Sequence, residues 1–215
     1  MRLFVAVYPP VEVVDDVMAQ VRRLRVGAVA DTGVNVRLAD RANLHVTVAF
    51  LGEVPDDRLP EVAKALDRAV QTWRKPPIRR RDRQAVPEPS PLRLRLGGGG
   101  RFGRGRFTVL WVGLLGDVAA LRRLADVSRR ELRRARLPYD SRPFRPHLTL
   151  ARPGDRIDRE SVDEDLRTLD GYLGPSWPAT ELVLVRSQLG PRPTYDRLAT
   201  WPLAGDASEQ PVSDR

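Results

Sequence analysis

Apolar runs of strand length and stripes of helical spacing follow one another along the chain. Leu3–Tyr8 is a short apolar run, and Pro9 and Pro10 then open a segment whose Val13, Val17, Val21 and Leu24 recur at helical intervals. A loop is expected around Asp31–Gly33. Asn43–Leu51, rich in β-branched and apolar residues and closed by Gly52, reads as a second strand. Pro60 suits a first helical turn, and Val62, Leu66, Ala69, Val70 and Trp73 form a stripe that Pro76 and Pro77 stop. Phe107–Leu115 reads as a strand, with Asp117 placed to cap a helix carrying Val118, Leu121, Leu124, Leu132 and Ala135. Pro138, Pro143 and Pro146 mark a loop before a strand at His147–Arg152. A short acidic helix around Ser161–Leu169 and strands at Thr180–Gln188 and Thr194–Trp201 complete the pattern. Residues 204–215 are polar and are expected to form a flexible tail.

Between Pro77 and Gly105 the pattern is weakest. Arg79–Arg83 is a basic run, and Gly97–Gly105 reads as a glycine-rich loop bearing Arg101 and Arg104. Neither a Walker loop, which needs a Lys-Ser/Thr pair, nor the G-x-G-x-x-G spacing is present. A hairpin insertion is expected instead, either plain or facing a nucleic acid.

The order repeats. Each half reads strand, helix, histidine-bearing strand, helix, strand, and the two histidines, His45 and His147, lie about half the chain apart. Within each histidine strand the side chains alternate. His45 and Thr47 therefore share one face while Leu44, Val46 and Val48 share the other; His147 and Thr149 oppose Leu148 and Leu150 in the same way. Each half supplies a polar pair with an apolar underside.

Composition narrows the chemistry. The 215 residues suit one domain, placed at 1–203. The absence of cysteine removes disulfides, thiolate metal sites and a cysteine nucleophile. Two histidines are too few for a conventional histidine metal centre, so neither metal nor cofactor is expected. No stretch has the roughly 20 apolar residues of a membrane span and the start is too quickly acidic for a signal peptide, so a cytoplasmic monomer is expected. The formal charge of +9 favours a polyanionic partner, although all but two of the 37 basic residues are arginine and a general arginine preference would raise the charge alone. The arginines of the helix after Asp117 read as a solvated face.

Two imidazoles of ordinary pKa near about 6.5 can divide acid and base work at neutral pH. In-line displacement at phosphorus uses such a pair: one activates water, the other protonates the departing oxygen, and threonine hydroxyls hold the non-bridging oxygens.

These motifs, with the opening RLFVAV, NLHVTVAFLGEV, RPFRPHLTLAR and LGPRPTYDRL, resemble the two-histidine (2H) phosphoesterase superfamily, specifically the LigT-like RNA 2′,3′-cyclic phosphodiesterases, over about residues 1–203. The resemblance implies a bilobal α+β fold, two antiparallel sheets flanking a central cleft with helices outside, and metal-independent opening of an RNA 2′,3′-cyclic phosphate to a 2′-phosphomonoester. It implies His45 as proton donor, His147 as proton acceptor, and Thr47, Thr149 and Arg152 on the phosphate. Strict alternation would put Arg152 on the wrong face, so its role requires a strand end or bulge. Phe50 matches an aromatic that follows the first motif and is expected in the core. The alternatives are a 2′–5′ ligase or a phosphodiesterase acting on another small cyclic phosphate, and an RNA-binding protein with little turnover.

Overall fold

The computed structural model describes residues 1–34, 36–75, 92–188, 190 and 193–203. In chain order the elements are β1 (Arg2–Val7), α1 (Val11–Arg22), α2 (Arg25–Asp31), β2 (Val46–Glu53), α3 (Leu59–Arg74), β3 (Leu92–Phe102), β4 (Val109–Gly116), α4 (Val118–Arg134), β5 (His147–Ala151), α5 (Arg159–Asp170), β6 (Leu173–Ala179), β7 (Glu181–Gln188) and β8 (Thr194–Pro202). The fold is α+β. The Arg79–Arg83 run and the tail from residue 204 lie outside the described residues.

β1 is apolar from Leu3 to Val7 because both of its faces are covered. Leu3, Val5 and Val7 join the main core beneath the helices, while Phe4 and Ala6 join a smaller cluster with Val183 and Val185 on the opposite face. The helical stripes behave as their spacing predicts: Val13, Val17 and Val21 of α1, Val62, Leu66 and Val70 of α3, and Leu121, Leu124 and Leu132 of α4 are buried in the main core. α3 and α4 are locked by Trp73, whose indole N–H donates to the Ala120 carbonyl at 3.1 Å while Arg123 lies over its ring. Arg123 and Arg129 are thus turned partly inward, Arg129 over Phe144, and the other α4 arginines are solvated or reach the helix's own Glu131.

All paired strands are antiparallel, in the order β6-β3-β4-β5-β2-β1-β7-β8. The two expected sheets are one eight-stranded sheet. Its four-stranded halves meet through a single residue pair, Val46 with Leu148.

Four local expectations change. Gly97–Gly100 belong to β3 and pair with β4 and β6, so the glycine-rich segment is strand up to Phe102. The glycines are there for clearance: a Cβ at Gly99 would sit 2.5 Å from Leu169 of α5, and one at Gly100 would sit 2.1 Å from the Trp111 ring. Gly98, at φ +72°, carries the register shift between Leu96 and Gly99. β6 has no strand pattern because of Pro175 and Pro178; it lies at the sheet edge, where the missing N–H groups are tolerated. α2 fills part of the expected loop, because the buried Asp165 carboxylate of α5 accepts from the backbone N–H groups of Arg25 and Val26 at 2.6 and 3.1 Å, a cap supplied from 140 residues away. Asp117 occupies the α4 N-cap position, but its carboxylate accepts from the Arg93 N–H across the β3–β4 pair instead.

Candidate active site

His45 stands one residue before β2, after a 3₁₀ turn at Arg41–Asn43 that Asp40 caps through the Ala42 N–H. His147 opens β5 after the proline-rich loop. The antiparallel register through Val46 and Leu148 sets His45 level with Thr149 and Thr47 level with His147, about a local twofold axis. Val46 and Leu148 are fully buried beneath, and all four polar side chains are half-buried on the other face, as the alternation predicts.

The two imidazoles are anchored alike. Nδ1 of His45 lies 2.6 Å from the Asn43 carbonyl oxygen, and Nδ1 of His147 lies 2.6 Å from that of Arg145, each two residues back. A carbonyl only accepts, so Nδ1 carries the hydrogen and Nε2 is left for chemistry. Nε2 of His45 is 3.1 Å from the Thr47 hydroxyl.

Each ring has aromatic walls. Phe4 stacks on His45 with centroids 4.7 Å apart, and Tyr195 and Tyr8 approach at 5.4 and 5.8 Å. Phe102 packs edge-on to His147 at 4.8 Å, with Trp111 at 5.9 Å. Phe4 and Tyr195 fall within quoted motifs, RLFVAV and LGPRPTYDRL. Tyr8, Phe102 and Trp111 carry no signal of their own in the sequence, because strands distant along the chain bring them to the histidines. Burial pushes the Tyr8 hydroxyl up to about 12 even though Arg197 lies over its ring.

One residue past each threonine the strand bulges. In β2 the partners of Val5 and Ala6 are Ala49 and Thr47, skipping Val48; in β5 the partners of Leu110 and Trp111 are Ala151 and Thr149, skipping Leu150. These shifts reverse the alternation beyond them. Arg152, exposed just after β5, is close enough for its charge to act on His147. Phe50 is not in the main core: it is half-buried against the smaller cluster beside Phe4, with Arg2 over its ring at 4.8 Å.

Burial holds both histidines below their ordinary pKa. The Asn43 and Arg145 carbonyls oppose the shift; His147 adds to it at His45, and Arg152 adds to it at His147. Both shifts favour the neutral ring at pH 7. Among the described residues no three His, Asp or Glu side chains are grouped to hold a metal ion, and no helix is long and apolar enough to cross a membrane.

An antiparallel sheet that presents two His-x-Thr pairs about a local dyad defines a two-histidine (2H) protein. The chain belongs to the 2′-5′ RNA ligase superfamily, whose family model matches residues 13–191. It is similar to the RNA 2′,3′-cyclic phosphodiesterase of Thermus thermophilus, 28% identical over 219 residues that cover 96% of this chain and 92% of the relative. The protein of the same name from Geobacillus stearothermophilus is 30% identical over 166 residues, 75% of this chain; there the match spans about half of the relative's length, 46%. Among solved structures, TT0787 of Thermus thermophilus has a TM-score of 0.68 and 29% identity, covering 96% of this chain and all of that one.

Proposed function

We propose that the protein hydrolyses RNA 2′,3′-cyclic phosphate ends to 2′-phosphomonoesters by acid–base catalysis between His45 and His147, without a metal. The observation that carries the reading is the pair of imidazoles anchored through Nδ1 on one face, each level with the other half's threonine. The relatives named RNA 2′,3′-cyclic phosphodiesterase support the substrate.

His147 Nε2 takes a proton from water as the water oxygen bonds to phosphorus. The bond from phosphorus to the 3′ oxygen breaks opposite, and the proton on His45 Nε2 passes to that oxygen. Thr47, Thr149 and Arg152 hold the non-bridging oxygens. The anionic phosphodiester raises the pKa that burial lowers, so the proton needed on His45 arrives with the substrate. The two half-sheets act as two lobes of one unit spanning 1–203, with the phosphate between them.

A short RNA with a 2′,3′-cyclic end tests the proposal, with products separated as 2′- and 3′-phosphates. A 2′-phosphate formed by the wild type and lost in His45→Ala and His147→Ala supports it; near-normal turnover in both variants overturns it.

A further inference from the structure

Two quoted motifs meet beside His45. Asn43, in NLHVTVAFLGEV, closes the 3₁₀ turn Arg41–Asn43, and its side-chain nitrogen donates at 3.2 Å to the carbonyl of Pro193, in LGPRPTYDRL, 150 residues away. A carbonyl only accepts, so the nitrogen of the Asn43 amide faces Pro193. The backbone of the same residue supplies the carbonyl that accepts from Nδ1 of His45 at 2.6 Å. One residue thus joins the imidazole to a strand remote in sequence.

That strand is a firm post. Pro193 stands immediately before β8, and its ring fixes its own φ. Asp196 accepts from Arg186 at 2.8 and 3.0 Å and from Gln188 at 2.8 Å, binding the start of β8 to β7. Tyr195, between Pro193 and Asp196, packs edge-on to His45 at 5.4 Å and to Phe4 at 5.2 Å, while Phe4 stacks on the same imidazole. The start of β8 therefore holds His45 twice, directly by an aromatic edge and indirectly through Asn43.

The other half of the sheet lacks the second hold. Arg145 takes the place of Asn43, two residues before His147, and its carbonyl makes the same 2.6 Å contact with Nδ1. Its side chain is exposed and makes no such tie among the described residues. The carbonyl behind His45 is fastened to another strand, and the one behind His147 is not. An acid that must aim its N–H at one departing oxygen gains from a fixed ring.

We infer that Asn43 is the positioning residue of the proposed acid: its amide, tied to Pro193, fixes the carbonyl that holds Nδ1 of His45 and so aims Nε2 at the leaving oxygen. The inference rests on the proposed reaction, which it deepens by naming what orients one of its two imidazoles.

The chain has only two histidines, so long-range ¹H–¹⁵N spectra of the imidazoles resolve each ring. At about pH 8, where ordinary imidazoles are neutral, both wild-type rings are expected to carry the hydrogen on Nδ1. Asn43→Ala is expected to mix the tautomers of His45, leave His147 unchanged, and lower kcat on a 2′,3′-cyclic RNA end by roughly 10–100-fold with KM unchanged. Asn43→Asp, of the same shape but with no donor for Pro193, is expected to act alike and serves in place of the alanine variant if that chain does not fold. A wild-type His45 without its hydrogen on Nδ1, a variant His45 that keeps a single tautomer, or a variant kcat equal to that of the wild type overturns the inference. Equal disturbance of both rings marks general loosening and also overturns it. If the wild type opens no cyclic phosphate, the hydrolase reading has failed; the spectra, recorded without substrate, then decide whether Asn43 holds the ring, and an unchanged His45 tautomer overturns that role.

Discussion

Nε2 of His45 and Nε2 of His147 are the atoms on which the proposed chemistry turns, and each is freed by the same contact from Nδ1 to a carbonyl two residues back. Replacing either ring by alanine removes a general acid or base and is expected to lower kcat by roughly 10²–10⁴-fold, with the melting temperature checked alongside. Because burial lowers both pKa values, the pH profile of kcat/KM is expected to be bell-shaped and displaced to the acid side of two ordinary imidazoles. An optimum well above pH ~7 would contradict that. The same shifts act on stability. Between the lowered and ordinary pKa values the unfolded chain binds more protons than the folded one, so the contribution is complete above about pH 6.5 and is lost as pH falls through the lowered values. Urea unfolding at about pH 7.5 and about pH 5 is expected to show a smaller acid loss in a His45→Gln/His147→Gln double variant than in the wild type. At this scale the sequence was most legible: alternation alone placed His45 with Thr47 and His147 with Thr149. Phe50 was not legible, and Arg152 only on the condition of a bulge, because the bulges at Val48 and Leu150 come from strand pairing and reverse the alternation after them.

Among the elements, long amphipathic helices and apolar strands could be read directly, since α3, α4 and β1 carry their burial in their own spacing. The elements that were missed depend on distant residues. α2 exists because Asp165 receives its first N–H groups; Asp165→Ala leaves those donors unpaired and is expected to lower stability by about 1–3 kcal/mol in urea unfolding. β6 has no strand signature because its prolines are tolerated only at an edge. The glycines of β3 looked like a loop until Trp111 and Leu169 were seen to occupy the space a Cβ would need. Gly100→Ala tests that argument. It is expected to push the Trp111 ring off the strand beside His147, destabilise the protein by about 1–3 kcal/mol, and change tryptophan fluorescence together with activity.

Across the whole molecule the sheet is divided into halves that meet at one residue pair, and the paired histidines sit where they meet. The repeat of His-x-Thr foreshadowed that arrangement, but not that the halves would remain one sheet, because strand order is not written in any single segment. The charge of +9 has a local counterpart in Arg101, Arg104 and Arg159, which line one hollow together with Asp155. The central claim, that two histidines suffice, is tested most directly by incubating a 2′,3′-cyclic RNA end with the protein in excess chelator and analysing the phosphate left on the product. Complete conversion to the 2′-phosphate at an unchanged rate is the predicted result. Activity lost on chelation, or a 3′-phosphate product, would contradict the account.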